Sequence, residues 1–221
     1  MDLPRIKICC IQDQAEAHLA IRHGASAIGL VSEMPSGPGP IPESLIADIA
    51  AGIPPAIGSF LLTSLTDPGS IIAQQKRCGV NTVQLCDRPG IETCKQLRDQ
   101  LPGISIIQVI HVTGKAALDT ALEVASHVNA ILLDSGNPNL KVKELGGTGR
   151  THDWTVSRRI RETVDVPVFL AGGLNPDNVA RAIHEVRPFG VDVCTGVRTN
   201  GRLDERKLEK FVAAVSSADI D

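Results

Sequence analysis

Eight short apolar runs recur along the chain, none with a regular polar alternation, and segments of helical periodicity separate them. They cover residues 5–9, 26–31, 56–62, 81–85, 104–110, 128–133, 166–170 and 190–193. A strand with one wet face alternates apolar and polar residues, whereas a strand covered on both faces does not. These runs therefore predict buried parallel strands. The segments between them carry helix signals. Asp13 stands three residues before Glu16, a capping-box spacing, and Gly24 ends that helix. Asp67-Pro68 and Asn175-Pro176 read as N-cap plus N1-proline pairs. Leu118, Ala121, Leu122 and Ala125 share a helical face. So do Val179, Ala182, Ile183 and Val186, and later Leu208, Phe211, Val212 and Val215.

Strand and helix in strict alternation imply parallel strands joined by right-handed crossovers. Eight strands is the number that closes, so the expected fold is α/β, a single (β/α)₈ TIM barrel spanning residues 1–221. Periodicity alone leaves an open doubly wound sheet as the competing architecture. No linker or shift in composition marks a second domain. Residues 32–40 and 134–153 are too rich in Gly, Pro and polar residues for regular structure. Both follow strands, which in a barrel places them on the catalytic face.

Composition removes several classes of partner. The net charge is −3 with 21% charged residues, and no basic excess or polybasic cluster argues for nucleic acid or an anionic membrane. Aromatic residues make up 2%, with Trp154 the one tryptophan, so stacking platforms for single strands are lacking. No apolar run approaches the roughly 18 residues that cross a bilayer. The first ten residues are too short and polar for a signal peptide, which gives the expectation of a cytoplasmic protein. Cysteines stand at 9, 10, 78, 86, 94 and 194 without a Cys-x-x-Cys pair, and free thiols are expected.

Five motifs carry chemistry. Gly146-Gly147-Thr148-Gly149-Arg150 follows strand 6. Glycines let backbone N–H groups approach an anion, although such a loop alone is equally a flexible connection. Ala171-Gly172-Gly173-Leu174-Asn175-Pro176 ends strand 7, and Cys194-Thr195-Gly196-Val197 ends strand 8. Glycine-bearing turns at those two places together point to a phosphate site. Asp134, in Leu132-Leu133-Asp134-Ser135, falls at the mouth as a general acid or base, or as a cap. Cys9, in Lys7-Ile8-Cys9-Cys10, is a base or nucleophile if its pKa is lowered, and otherwise a small core residue.

In this order the pieces resemble the phosphoribosylanthranilate isomerases of tryptophan synthesis. The resemblance covers nearly the whole chain. It runs through Lys7-Ile8-Cys9, Gly24 to Gly29, Val83-Gln84-Leu85, Leu132 to Ser135, Gly146 to Gly149, Asp153-Trp154, Ala171 to Val179, Arg187-Pro188 and Gly190 to Val193. It implies an Amadori rearrangement of N-(5′-phosphoribosyl)anthranilate to the aminoketose phosphate, an aldose–ketose isomerisation needing no cofactor or metal. By the same resemblance Asp134 is the general acid, Cys9 the general base, and Asp192 lies near the anthranilate end. Gly147, Thr148, Gly149, Gly172, Gly173, Asp192, Thr195, Gly196 and Arg198 make up the expected substrate-binding set. The expected partner is a phosphorylated small molecule, and the expected state a monomer or homodimer.

The sequence departs from the family on the anthranilate side. Pro38 stands where an arginine is usual, Cys86-Asp87 where His-Gly is, and Cys10 where Gly is. Cys194-Thr195-Gly196-Val197-Arg198 replaces Ser-Ser-Gly-Val-Glu, and His152 replaces Phe. A lost guanidinium removes a forked carboxylate partner, and Arg198 or Arg150 is the expected substitute. Two further readings stand beside the isomerase. In one, the barrel holds a different phosphorylated ligand, as another aldose–ketose isomerase or without catalysis. In the other, Cys9 or Cys10 with Cys86, Cys194 and His152 binds zinc. His18, His23, His111, His127 and His184 are read as surface or packing residues.

Overall fold

Each apolar run forms a parallel strand, and the strands pair in sequence order until the last meets the first. In the computed structural model, which describes residues 3–218, the strands are β1 (Arg5–Ile8), β2 (Ala27–Val31), β3 (Gly58–Thr63), β4 (Thr82–Leu85), β5 (Ser105–His111), β6 (Ala130–Asp134), β7 (Val168–Leu170) and β8 (Gly190–Val193). They close a barrel in the order β1 to β8. Residues 1, 2 and 219–221 of the expected domain lie outside the described residues. The seam joins β1 to β8 with Ile6 opposite Val191, Lys7 opposite Asp192 and Ile8 opposite Val193. Closure removes every sheet edge, which decides against the open doubly wound sheet.

The helices are α1 (Gln14–Arg22), α2 (Glu43–Ala51), α3 (Pro68–Cys78), α4 (Ile91–Gln100), α5 (Ala116–Ala125), α6 (Trp154–Thr163), α7 (Val179–Val186) and α8 (Glu205–Ser216). A two-residue hairpin, β9 (Arg198–Thr199) with β10 (Arg202–Leu203), precedes α8. Asp13 and Asp67 cap α1 and α3 as expected, accepting from the N–H of Glu16 and of Ser70 at 2.8 Å each. None of the described helices is long and apolar enough to cross a membrane.

Two helical expectations are corrected. The buried stripe of α5 is Ala117, Ala121 and Val124, and Leu122 is exposed. The helix is rotated so that the residues against the sheet are small or β-branched. The second concerns α7, which starts at Val179 with Asn178 at its cap, not after Asn175. Asn175 and Asn178 instead build the turn before it. The N–H of Asn175 donates to Asn178 Oδ1 at 2.8 Å, and that of Asp177 donates to Asn175 Oδ1 at 2.9 Å. These short side chains satisfy the backbone locally, which competes with helix.

The apolar residues divide into two layers. Ile6, Ile8, Leu61, Leu85, Ile131, Leu133 and Leu170 face outward and pack against the helices. Phe60, Ile107, Ala130, Leu132 and Phe169 fill the barrel interior. Phe60 and Phe169 meet edge to face at 6.1 Å and form its floor. The ammonium of Lys7 sits 5.3 Å above the Phe60 ring.

On α8 the side chain of Phe211 is wholly buried against the outer layer. Phe211→Ala is expected to cost about 3–5 kcal/mol, the usual range for a buried aromatic. A urea midpoint displaced by less than a third of that would show that α8 is dispensable to the barrel.

Candidate active site

At the C-terminal ends of the strands a cavity opens among the loops. Cys9, Asp134, Gly147, Thr148, Gly149, Gly172, Gly173, Asp192 and Thr195 line it. Strand parity explains why. Lys7 and Cys9 are two apart on the first strand and its extension, so both face inward; the same holds for Leu132 and Asp134, and for Asp192 and Cys194. The fifth residue counted from the start of β1, Cys9, and the fifth of β6, Asp134, thus meet in one volume.

The electrostatics of this volume are set from below. Lys7 is fully buried and lies 2.9 Å from Asp192 across the seam. Burial opposes its charge more than any other single influence, but the carboxylate of Asp192 together with the Cys9 and Cys10 thiols holds the ammonium above its ordinary pKa. Burial raises the Asp192 carboxyl, and Lys7 offsets part of that rise. Gly29 leaves the space that the thiol and ammonium share. A Cβ there would come within 2.8 Å of Cys9 Sγ and 3.1 Å of Lys7 Nζ.

The two candidate proton-transfer groups are pushed in opposite directions. The Cys9 thiol is lowered, chiefly by a hydrogen bond from Cys10 and further by the charge of Lys7, both working against burial. The Asp134 carboxyl is raised by burial, against the Ser135 N–H that donates to Oδ1 at 2.7 Å. One group is thereby favoured as thiolate and the other as neutral acid.

The loops around them interlock. The hydroxyls of Ser135 and Thr148 are 2.7 Å apart, fixing the glycine loop after β6 to the end of that strand. Gly173 adopts a φ of 62°, and a Cβ on it would lie 2.6 Å from the carbonyl carbon of Arg150. Asn178 Nδ2 donates to the Gly173 carbonyl at 3.0 Å. The loop after β2 also reaches across the mouth. Ser36 Oγ donates to the Lys143 carbonyl at 2.6 Å, and Pro38 packs where a side chain on Gly147 would stand, 2.5 Å from its Cδ.

Two residues of the expected set stand elsewhere. Gly196 lies behind the lining, where a Cβ would meet the Leu174 carbonyl at 2.1 Å; it lets the loops after β7 and β8 touch. Arg198 does not supply a cation to the cavity. Its buried guanidinium pairs with Glu16 at 3.0 Å and donates to the carbonyls of Cys9, Cys10 and Gly201. Five donors in a rigid fork suit it to hold the end of β1 from outside the barrel. Arg150 is paired with Glu144, and among the described residues no Lys or Arg lines the cavity.

The zinc reading is likewise not supported. Among the described residues, one group brings three donor atoms together, His23, Glu205 and Glu209, on the outside where α1 ends and α8 begins. His152 is turned away, with Nε2 2.7 Å from Ser157 Oγ, and burial lowers its pKa to about 4. It serves to pack the loop before α6.

Three residues escaped the sequence reading. Lys7 was part of a motif without a role. Gln84 lines the cavity with its Oε1 unpartnered. His111, taken as packing, stands opposite Asp134 in the β5–β6 register and its charge favours the carboxylate of that residue. Inward parity on the strand was the available signal for all three.

Comparison with known proteins follows the geometry. Residues 6–214 match the model of the N-(5′-phosphoribosyl)anthranilate (PRA) isomerase family. The N-(5′-phosphoribosyl)anthranilate isomerase 2 of Methanosarcina mazei is 38% identical over 94% of this chain and 92% of its own. The crystal structure of phosphoribosyl anthranilate isomerase from Thermotoga maritima superposes with a TM-score of 0.82 at 30% identity, covering 96% and 98% of the two chains. A phosphoribosyl anthranilate isomerase in complex with reduced 1-(o-carboxyphenylamino)-1-deoxyribulose 5-phosphate gives 0.80 at 28% identity, with the same coverage.

Two outcomes check this geometry. Arg198→Met leaves the buried Glu16 carboxylate with only the exposed Arg202, 3.4 Å away, as counter-charge, and is expected to cost at most about 3–5 kcal/mol in urea unfolding. Removing both Lys7 and Asp192 charges (Lys7→Met with Asp192→Asn) is expected to move the pH midpoint of Cys9 alkylation upward, because the larger Lys7 effect is lost. Iodoacetamide labelling followed by peptide mass measurement reads it, and an unmoved midpoint would remove Lys7 from the account.

Proposed function

Because the chain belongs to the N-(5′-phosphoribosyl)anthranilate isomerase family, we propose that it converts N-(5′-phosphoribosyl)anthranilate into the aminoketose phosphate of tryptophan biosynthesis. The observation that carries this reading is the pairing of a buried, raised carboxyl with a lowered thiol in one cavity. Asp134 gives its proton to the furanose oxygen as the C1′–O bond breaks, and the nitrogen lone pair forms an iminium. Cys9 thiolate then takes the C2′ proton, and the electron pair left behind neutralises the iminium as an enolamine. Return of a proton to C1′, with loss of the 2′-hydroxyl proton, completes the ketone. Every step is a proton transfer, so the product is an isomer.

The glycine turns at Gly147-Thr148-Gly149, Gly172-Gly173 and Thr195 supply backbone N–H groups for the phosphate. Their residues surround one end of the cavity, which supports that assignment. The carboxylate of anthranilate meets no lining cation, so its binding rests on neutral donors. Gln84 lines the cavity, but its unpartnered atom is the acceptor Oε1 and its Nε2 donates to Cys86 Sγ, so backbone N–H and hydroxyl groups are the donors left.

Turnover of freshly made phosphoribosylanthranilate, followed as loss of its fluorescence, tests the reading. Asp134→Asn and Cys9→Ala are each expected to lower kcat about 10²–10⁴-fold, the span of a general acid or base. A wild-type protein that binds an aminoketose phosphate analogue but shows no turnover would instead favour the barrel as a holder of another phosphorylated ligand.

A further inference from the structure

The wall of the cavity contains three thiols that the isomerisation does not use, Cys10, Cys86 and Cys194, and two of them, Cys10 and Cys194, stand beside Cys9. The seam register places them. With Ile8 opposite Val193, the next residues Cys9 and Cys194 stand side by side, and the Cys9 N–H donates to the Val193 carbonyl at 2.8 Å. Cys10 follows with a φ of 61°, in the left-handed region that few residues other than glycine adopt. That turn keeps its side chain in the cavity wall, 3.6 Å from the Pro38 carbonyl. Its thiol interacts with those of both Cys9 and Cys194. The three sulfurs form a chain with Cys10 in the middle.

We propose that Cys10 and Cys194 are an oxidisable dithiol that closes a disulfide in the cavity wall when a hydroperoxide attacks Cys9, and so returns Cys9 to its thiol form. Cys9 thiolate attacks one peroxide oxygen. The O–O bond breaks, Cys9 becomes a sulfenic acid, and the departing oxygen takes a proton to leave as alcohol or water. Cys10 then attacks the Cys9 sulfur, giving a Cys9–Cys10 disulfide and one water. Adjacent α-carbons are only about 3.8 Å apart. That is below the usual span of roughly 4.4–6.8 Å, so this bond is strained and exchanges readily. Cys194 attacks the Cys10 sulfur, and Cys9 leaves, favoured over Cys10 as the leaving group because its thiol is made more acidic and that of Cys10 less so. In sum, two thiols and one hydroperoxide give one disulfide, one alcohol or water, and one further water. The resolving pair intercepts the sulfenic acid before it advances to the irreversible sulfinic acid.

The test reads thiol chemistry and is independent of turnover. The whole protein is exposed to stoichiometric hydrogen peroxide, free thiols are alkylated in denaturant, and a non-reducing tryptic digest is analysed by mass spectrometry. The expected result is a cross-linked pair of peptides, residues 8–22 with residues 182–198. Fragmentation should place the bond on Cys10 and Cys194, with Cys9 alkylated, and dithiothreitol should release both peptides. In Cys194→Ser, expected to fold because serine is nearly isosteric, the cross-link is lost and oxidation stops at a Cys9–Cys10 bond within residues 8–22, whereas in Cys10→Ser, equally isosteric, Cys9 sulfinic acid accumulates faster than in wild type. Full alkylation of Cys10 and Cys194 after peroxide in the wild-type protein overturns the proposal. So does a stable bond that includes Cys9 in the wild-type protein, or an unchanged rate of sulfinic acid formation in Cys10→Ser.

Discussion

The ion pair between Lys7 and Asp192 is the constraint on which the rest of this barrel depends. Two buried charges lie 2.9 Å apart, Lys7 fully enclosed on the first strand and Asp192 at the cavity wall on the last. Separated from its partner, either would be a buried charge costing several kcal/mol. The pair therefore specifies which strand closes against β1 and in what register, since a slip by one residue would point Asp192 into the helical layer. It also stands directly under Cys9, so the interaction that fixes the seam is one source of the positive field that favours a thiolate.

A second buried pair, Arg198 with Glu16, works from the other side of the same strand end. Glu16 belongs to α1 and Arg198 to the hairpin after β8, and the guanidinium reaches the carbonyls of Cys9 and Cys10. The reactive thiol is thus gripped between an ammonium within the barrel and a guanidinium outside it. Only the first acts on the sulfur through space. The second acts on the backbone, and holds Cys10 in a conformation that it would not otherwise favour.

Much of this was legible in the sequence, and the failures have physical reasons. The strands were read within a residue or two at nearly every end, because a doubly covered strand leaves an apolar run and its flanking turns are marked by Gly, Pro and Asn. Cys9 and Asp134 were legible as the last inward residues of their strands. The α5 stripe was misjudged because Leu122 and Val124 are both apolar, and only packing against the sheet decides which is covered. Arg198 was misplaced because its partner, Glu16, lies 182 residues earlier, a distance at which local pattern carries no information. The role of His111 needed the register of β5 against β6, which no single strand reveals.

The seam has a consequence for the order in which the protein becomes itself during synthesis. Lys7 and Cys9 leave the ribosome long before Asp192, Cys194 and Arg198 do. Until β8 has emerged, Lys7 has no counter-charge to bury with and Glu16 has no guanidinium to receive, so both side chains remain solvated and the β1 edge remains open. Through most of translation the cysteine at position 9 is an ordinary thiol on an unfinished sheet. Its altered acidity is a property of the closed barrel, because the Cys10 hydrogen bond and the buried Lys7 charge that lower it are held in place by the last strand and the hairpin that follows it.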